Sequence, residues 1–219
     1  LAIIPIRDSS EKPFCLREFQ ESNLLGLSIE NAQSAERVSS IVVSTNNTAV
    51  INTVIELYPN IIIHDRREAS DALNKEIDSV VSSVMTLEEV EALSFDCISI
   101  LNYEYPFRGT YLIDQSVDIL QAFNADSSMT VKPLNLNLYQ NFGKGLQPDS
   151  KNTNLRQERE LRYAEWGGIH TVTLTSFNEN KRIHQDLVAT IELDERSAFK
   201  IEEEFHFEMA RTYVEDKIE

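Results

Sequence analysis

Short, uninterrupted apolar runs alternate with longer amphipathic stretches through the first 130 residues of this 219-residue chain. That alternation constrains the fold more than any other feature. Ala2-Ile3-Ile4, Ser40-Ile41-Val42-Val43-Ser44, Ile61-Ile62-Ile63, Cys97-Ile98-Ser99-Ile100-Leu101 and Ser128-Met129-Thr130-Val131 read as strands, mostly rich in β-branched residues. Between them, 48–58 reads as a helix with Ile51, Val54, Ile55 and Tyr58 on one face, and Pro59 cannot continue it. Ile77, Val80, Val81, Val84, Met85 and Leu87 suit one long helix through about Leu93, and 114–123 reads as another.

Strands that are apolar on both faces, separated by helices, predict a doubly wound α/β fold: a mostly parallel sheet covered on both sides, in three layers. Ligands of such sheets bind beyond the carboxyl ends of the strands. The turns after Ile4, Val43, Leu101 and Val131 are therefore the places to look. From Lys132 to about Glu165 the pattern changes to an Asn- and Gln-rich segment with Gly143 and Gly145. A loop this long within a compact domain usually has a function, and packing on another subunit is one. Beyond it, 170–174 and 187–191 read as strands and 201–213 as a closing helix, with Glu202, Glu203 and Glu204 in its first turn, where the helix dipole favours acids.

Charge excludes other classes. The formal net charge is -16, so the chain has no general attraction for nucleic acid or anionic membrane. Any phosphate must be held by a local group of cations or by a metal. No apolar run reaches the ~20 residues of a spanning helix, and residues 1–6 are too short for a signal-peptide core before Arg7 intervenes. The expectation is a cytoplasmic protein. Cys15 and Cys97 are the only cysteines, have no C-x-x-C spacing, and read as buried or partly buried free thiols. His64, His170, His184 and His206 are too far apart for a local pattern such as H-E-x-x-H, and each reads as structural. There is no G-x-S-x-G, Walker A or G-x-G-x-x-G run.

Seven short motifs, in order, resemble a known family. Ala2-Ile3-Ile4-Pro5-Ile6-Arg7 resembles A-I-I-P-A-R, and Leu16-Arg17-Glu18-Phe19 with Ser28-Ile29-Glu30-Asn31-Ala32 follows L-R-x-x…S-I-E-x-A. Val43-Ser44-Thr45-Asn46 is similar to V-S-T-D, and the run from Leu101 to Arg108 stands where the family has L-Q-P-T-S-P-L-R. Arg156-Gln157 matches R-Q, Tyr163-Ala164-Glu165-Trp166-Gly167-Gly168-Ile169 resembles Y-x-x-N-G-A-I, and Lys200-Ile201-Glu202 occupies the place of D-I-D. The family is that of the cytidylyltransferases that make CMP-activated sugar acids, the CMP-sialic acid synthetase group.

The resemblance implies a single domain over 1–219 with the fold of the nucleotide-diphospho-sugar transferases. It also implies a homodimer joined through the insert at 133–165. The reaction it implies is attack of a nonulosonic sugar acid's anomeric hydroxyl on the α-phosphate of CTP, with release of pyrophosphate. Arg7 and Lys12 are then the catalytic cations. Arg7, Ser10 and Lys12 meet the triphosphate, Asn102 the base, Arg156 and Gln157 the sugar, and Glu202 holds Mg2+. Departures from the pattern fall in the same places. Glu11 enters the first loop, Tyr103-Glu104-Tyr105 replaces P-T-S, Trp166 replaces Asn, and Lys200 replaces the first metal-binding Asp. Two readings stay open: an active cytidylyltransferase, or a catalytically degenerate homologue that binds a nucleotide, a sugar or a protein partner. Arg108, behind Pro106, reads mostly as a structural turn residue.

Overall fold

The computed structural model describes residues 1–8, 10–67, 76–134, 138–141, 143, 145–148 and 162–215. The chain enters along β1 (Ala2–Ile6) and makes a single 3-10 turn at Phe14–Leu16. It then forms a small hairpin of β2 (Glu18–Phe19) and β3 (Ser22–Asn23) and runs into α1 (Leu24–Ser34). β4 (Ile41–Thr45), α2 (Thr48–Leu57), β5 (Ile62–Asp65), α3 (Ile77–Val84), α4 (Glu88–Glu91) and β6 (Cys97–Leu101) follow. α5 (Thr110–Phe123) leads to β7 (Ser127–Leu134) and to a second hairpin, β8 (Tyr139–Asn141) and β9 (Leu146–Pro148). The chain closes with β10 (Arg162–Thr173), α6 (Leu174–Asn180), β11 (Val188–Glu192) and α7 (Glu204–Glu215).

Among the described residues, seven strands form the main sheet in the order β11-β7-β10-β6-β1-β4-β5. β1 is parallel to β4 and β6, β4 to β5, and β7 to β11, whereas β10 runs antiparallel to both β6 and β7. The expected mostly parallel, doubly wound sheet is present. Side-chain alternation divides it into two cores. Ala2, Ile4, Ile6 and Val43 face α1, α2 and α5, packing with Leu25, Ile29, Val50, Val54 and Ile113. Ile3, Val42, Ile98 and Ile100 face the other way, onto Val81, Val84, Val90 and Phe177. Each buried Ile or Val contributes about 1.5–3 kcal/mol relative to exposure, so a strand apolar on both faces is stable only with helices on both sides. Cys15 lies in the first of these cores, and burial, with the Asp8 charge adding, pushes its thiol up to about 12.

Several boundaries differ from the sequence reading. The long helix from Ile77 is broken: α3 stops at Val84, and the Thr86 hydroxyl donates to the Ser83 carbonyl at 2.8 Å, a local bond that competes with helix continuation. α5 starts at Thr110, one turn earlier than expected, and ends on the left-handed Asn124. The strand expected at 170–174 is the end of the twelve-residue β10, and Leu174 already belongs to α6. The closing helix begins at Glu204, so Glu202 and Glu203 precede it.

Two local devices shape the sheet's carboxyl end. The first is a bulge in β10. Glu165 pairs with Val131 and His170 with Met129, so the four residues of β10 between them stand opposite the single residue Thr130 of β7. Gly167 and Gly168, at φ +85° and +65°, take up the excess in the left-handed region. A Cβ on Gly167 would collide with Leu193 and crowd Thr130, and one on Gly168 would come within 2.8 Å of the Tyr105 ring and of Asn102 Cβ.

The second device is Arg108, which is 3% exposed. Its Nη1 donates to the carbonyls of Asn102 (2.9 Å) and Gly168 (3.1 Å), and its Nη2 to Ser28 Oγ (3.2 Å). One guanidinium thus ties the turn after β6, the bulge of β10 and α1 together, as the structural reading of Arg108 expected. Burial pulls it down to about 10, opposed by the Glu104 charge, and it stays protonated at neutral pH.

Gly167→Ala is expected to destabilise the fold by roughly 1–3 kcal/mol through left-handed strain and overpacking, read as a lower urea midpoint. Arg108→Ala takes the guanidinium donor from the Asn102 carbonyl, leaves the Gly168 carbonyl with the Asn102 N–H alone, and is expected to cost about 2–4 kcal/mol. Arg108→Lys should recover only part of that, because an ammonium cannot reproduce the fork.

Candidate functional site

β1 and β6 are neighbours, and their carboxyl ends open onto a cleft of about 310 Å³. Pro5 and Arg7 come from the end of β1, and Asn102, Tyr103 and Glu104 from the turn after β6. Glu165, Gly168 and His170 come from β10, and Ile77, Ile183 and His184 close the other side. β10 reaches the cleft because Ile169 pairs with Leu101, the last residue of β6, so the strand's earlier half extends past the sheet's carboxyl edge. The two turns singled out after β1 and β6 therefore meet at one site, as expected for a sheet of this topology.

The first loop is built around its own polar groups. The Asp8 carboxylate accepts from the Ser10 N–H (2.9 Å) and the Phe14 N–H (2.8 Å). Against burial, bonds from Ser10 and Phe14 hold its carboxyl below the ordinary value. Asn47 caps α2 by accepting from Ala49 and Val50, and its Nδ2 donates to the carbonyls of Asp8 (2.9 Å) and Ser10 (2.8 Å). The loop is thereby fastened to the start of α2. Ser10 and Lys12 stand exposed on it, outside the wall of the cleft, whereas Arg7 is exposed and on the wall. No lysine among the described residues lines the cleft.

Behind Arg7 lies Arg66, at the end of β5, which the sequence reading did not single out. It is buried, and its Nη2 donates to the Ile6 carbonyl at 2.8 Å and the Ser44 carbonyl at 3.3 Å. Burial, then the nearby Arg7 charge, lowers its pKa. Two guanidinium groups thus gather at the carboxyl end of β1. Pairing of β4 with β5 is what brings Arg66 there, and nothing local in the sequence signals it.

Glu104 lines the cleft with its pKa raised by burial, an effect that Lys200 and Arg108 oppose. Lys200 Nζ lies 2.7 Å from Glu202 Oε1 and forms an ion pair at the edge of the same region. Glu202 is exposed and does not line the cleft. The donor set at Glu202 does not suit Mg2+: an ammonium already neutralises its carboxylate, and magnesium needs several free hard oxygen ligands. Arg156 and Gln157 lie outside the described residues.

The histidines divide. His64 is structural, its ring nitrogens 2.9 Å from Ser44 Oγ and 3.0 Å from Ser83 Oγ. His206 accepts from the Glu202 N–H at 3.4 Å. His170 and His184, read as structural from sequence, instead meet in the cleft with ring centroids 4.4 Å apart, beside Glu165. Contact with His170 holds the Glu165 carboxyl below its ordinary value against the effect of burial, and His184 acts in the same sense. Their fourteen-residue separation concealed the contact, which depends on the turn after α6.

No protein-family model and no curated protein matches the sequence. The fold does have counterparts among solved structures. CMP:2-keto-3-deoxy-manno-octonic acid synthetase, complexed with CTP, superposes with a TM-score of 0.70 at 10% identity, over 99% of this chain and 98% of that one. 4-Diphosphocytidyl-2C-methyl-D-erythritol synthase from Anaerococcus prevotii superposes with a TM-score of 0.65 at 13% identity, over 98% and 95%. The chain therefore has the α/β fold of these cytidylyltransferases along nearly its whole length.

Proposed function

We propose that this chain is a cytidylyltransferase-like protein that binds CTP across the carboxyl ends of β1 and β6 and transfers CMP to a nonulosonic sugar acid, releasing pyrophosphate. The observation that carries this reading is Arg7 and Asn102 on adjacent strand ends of one cleft, in a fold shared with a synthetase solved with CTP.

Transfer of this kind asks the protein chiefly for positioning and charge neutralisation. Arg7 offers charge-assisted hydrogen bonds to phosphate oxygens, and Arg66 behind it adds positive potential without leaving its backbone acceptors. Asn102 serves the base in this reading, and its backbone is held: its N–H donates to the Gly168 carbonyl at 2.9 Å and its own carbonyl accepts from Arg108. Its side-chain amide has both a donor and an acceptor for a pyrimidine edge. Ser10 and Lys12, exposed on the first loop beside Arg7, serve the triphosphate in this reading. Arg156 and Gln157 serve the sugar. Magnesium is the cation that the resemblance implies, and the Lys200–Glu202 ion pair leaves Glu202 poorly suited to hold it.

A homodimer joined through 133–165 belongs to the same reading. The exposed Tyr139 and Leu146 of the β8–β9 hairpin support it. No helix among the described residues is long and apolar enough to cross a membrane, and a cytoplasmic setting goes with the proposal. The second reading, a degenerate homologue that binds without turning over, is favoured by one observation: Lys200 occupies the carboxylate that would hold the metal.

CTP is expected to raise the melting temperature in a titration up to millimolar ligand. Arg7→Ala should weaken that binding at least about tenfold, the loss of one charge-assisted phosphate contact. Absence of any CTP-dependent stabilisation would overturn nucleotide binding. Pyrophosphate release with a panel of sugar acids separates the two readings, since stabilisation without release selects the degenerate homologue.

A further inference from the structure

The cleft contains a group of side chains that the nucleotide reading does not use. Glu165, His170 and His184 each turn one potential ligand atom toward the others, all within 4.8 Å. His170 Nδ1 is 3.6 Å from Glu165 Oε1, and His184 Nε2 is 3.9 Å from Glu165 Oε2. Both distances are too long for hydrogen bonds. Two ligands at about 2.1 Å from one tetrahedral ion are themselves about 3.4 Å apart. The spacing is thus nearer to that of groups around a shared cation than to that of groups bonded to each other.

A second, independent observation concerns His170. Its side chain is 3% exposed, and neither ring nitrogen has a hydrogen-bond partner among the described residues. Leaving a buried polar group unsatisfied costs about 1–3 kcal/mol, and native structures rarely tolerate it. A cation accepting the Nδ1 lone pair would remove part of that cost.

The positions are built by the fold. Glu165 and His170 are five residues apart, so a regular strand would send them to opposite faces. The Gly167–Gly168 bulge places them opposite Val131 and Met129, two residues apart on β7, and so on the same face. His184 comes from the turn after α6, which is pinned at both levels. Ile183 is buried and its N–H donates to Asp78 Oδ1 of α3 at 2.9 Å, while Asn180 and Gln185 bond across the turn at 2.9 Å.

We propose that Glu165, His170 and His184 form a binding site for a divalent transition-metal ion of the zinc class. Two imidazole nitrogens and one carboxylate suit zinc, cobalt or iron, and discriminate against magnesium, which prefers oxygen ligands. Three protein ligands leave at least one coordination position, which opens on the same cleft as Arg7. An anionic ligand oxygen, from phosphate or carboxylate, is the group that completes such a site. The ion would also supply positive charge to a cleft on whose wall Arg7 is the only Lys or Arg among the described residues.

The test uses the whole chain, stripped of metal and without nucleotide, so its outcome is independent of CTP binding. Equilibrium dialysis with Zn2+ is expected to give one ion per chain that excess Mg2+ does not displace. Co2+ is expected to give the visible absorption of a four- or five-coordinate nitrogen–oxygen site. His184→Ala and Glu165→Gln change exposed positions and should keep the native circular dichroism spectrum. Each is expected to weaken Zn2+ binding at least about tenfold and to abolish the Co2+ spectrum. No Zn2+ uptake by the wild-type chain would overturn the proposal, and so would uptake that both variants retain unchanged.

Discussion

The arrangement of the carboxyl edge depends on one buried cation. The Arg108 guanidinium bonds the turn after β6, the bulge of β10 and α1 at once. Burying a charge is costly, and three hydrogen bonds from one planar fork, with the Glu104 charge acting in the same sense, offset it. The consequence is geometric. Asn102 and Gly168, which both line the cleft, are held in one relation. Ser28 on α1 is included, so the helix behind the first loop shares the same reference point.

On that frame, the bulge determines which side chains face the cleft. Without Gly167 and Gly168, Glu165 and His170 would lie on opposite faces of the sheet. With them, a carboxylate and a buried imidazole converge, and the pinned turn after α6 adds His184. A conformational detail at two glycines is thereby converted into a cluster of ligand-type atoms.

Charge sets the terms for any substrate. A chain of net charge -16 repels phosphates and carboxylates at long range, so only local cations can hold them. Arg7 and Arg66 gather at the end of β1, while Lys200 is committed to Glu202 and Lys132 to Glu195 at 2.6 Å. The cation supply on the cleft is therefore small, which gives the Glu165–His170–His184 cluster its interest as a place where positive charge could be added.

The strands β1, β4, β5, β6 and β7 were legible because a parallel strand buried on both faces must be apolar at successive positions, a pattern that needs no partner to be read. The general place of the site followed from the same logic, since strand ends are where the backbone leaves the sheet. Arg108 was legible as a turn residue from Pro106 nearby, though its three acceptors were not. Arg66, the broken helix after Val84, the antiparallel insertion of β10 and the pairing of His170 with His184 were not legible. Each depends on contacts between residues far apart in the chain, or on a bulge that reverses side-chain parity. Local apolar periodicity determined the layers and the edge at which chemistry can occur. Which side chains meet at that edge was decided only by strand order, register and the two left-handed glycines, because convergence of distant residues is a property of packing and not of local sequence.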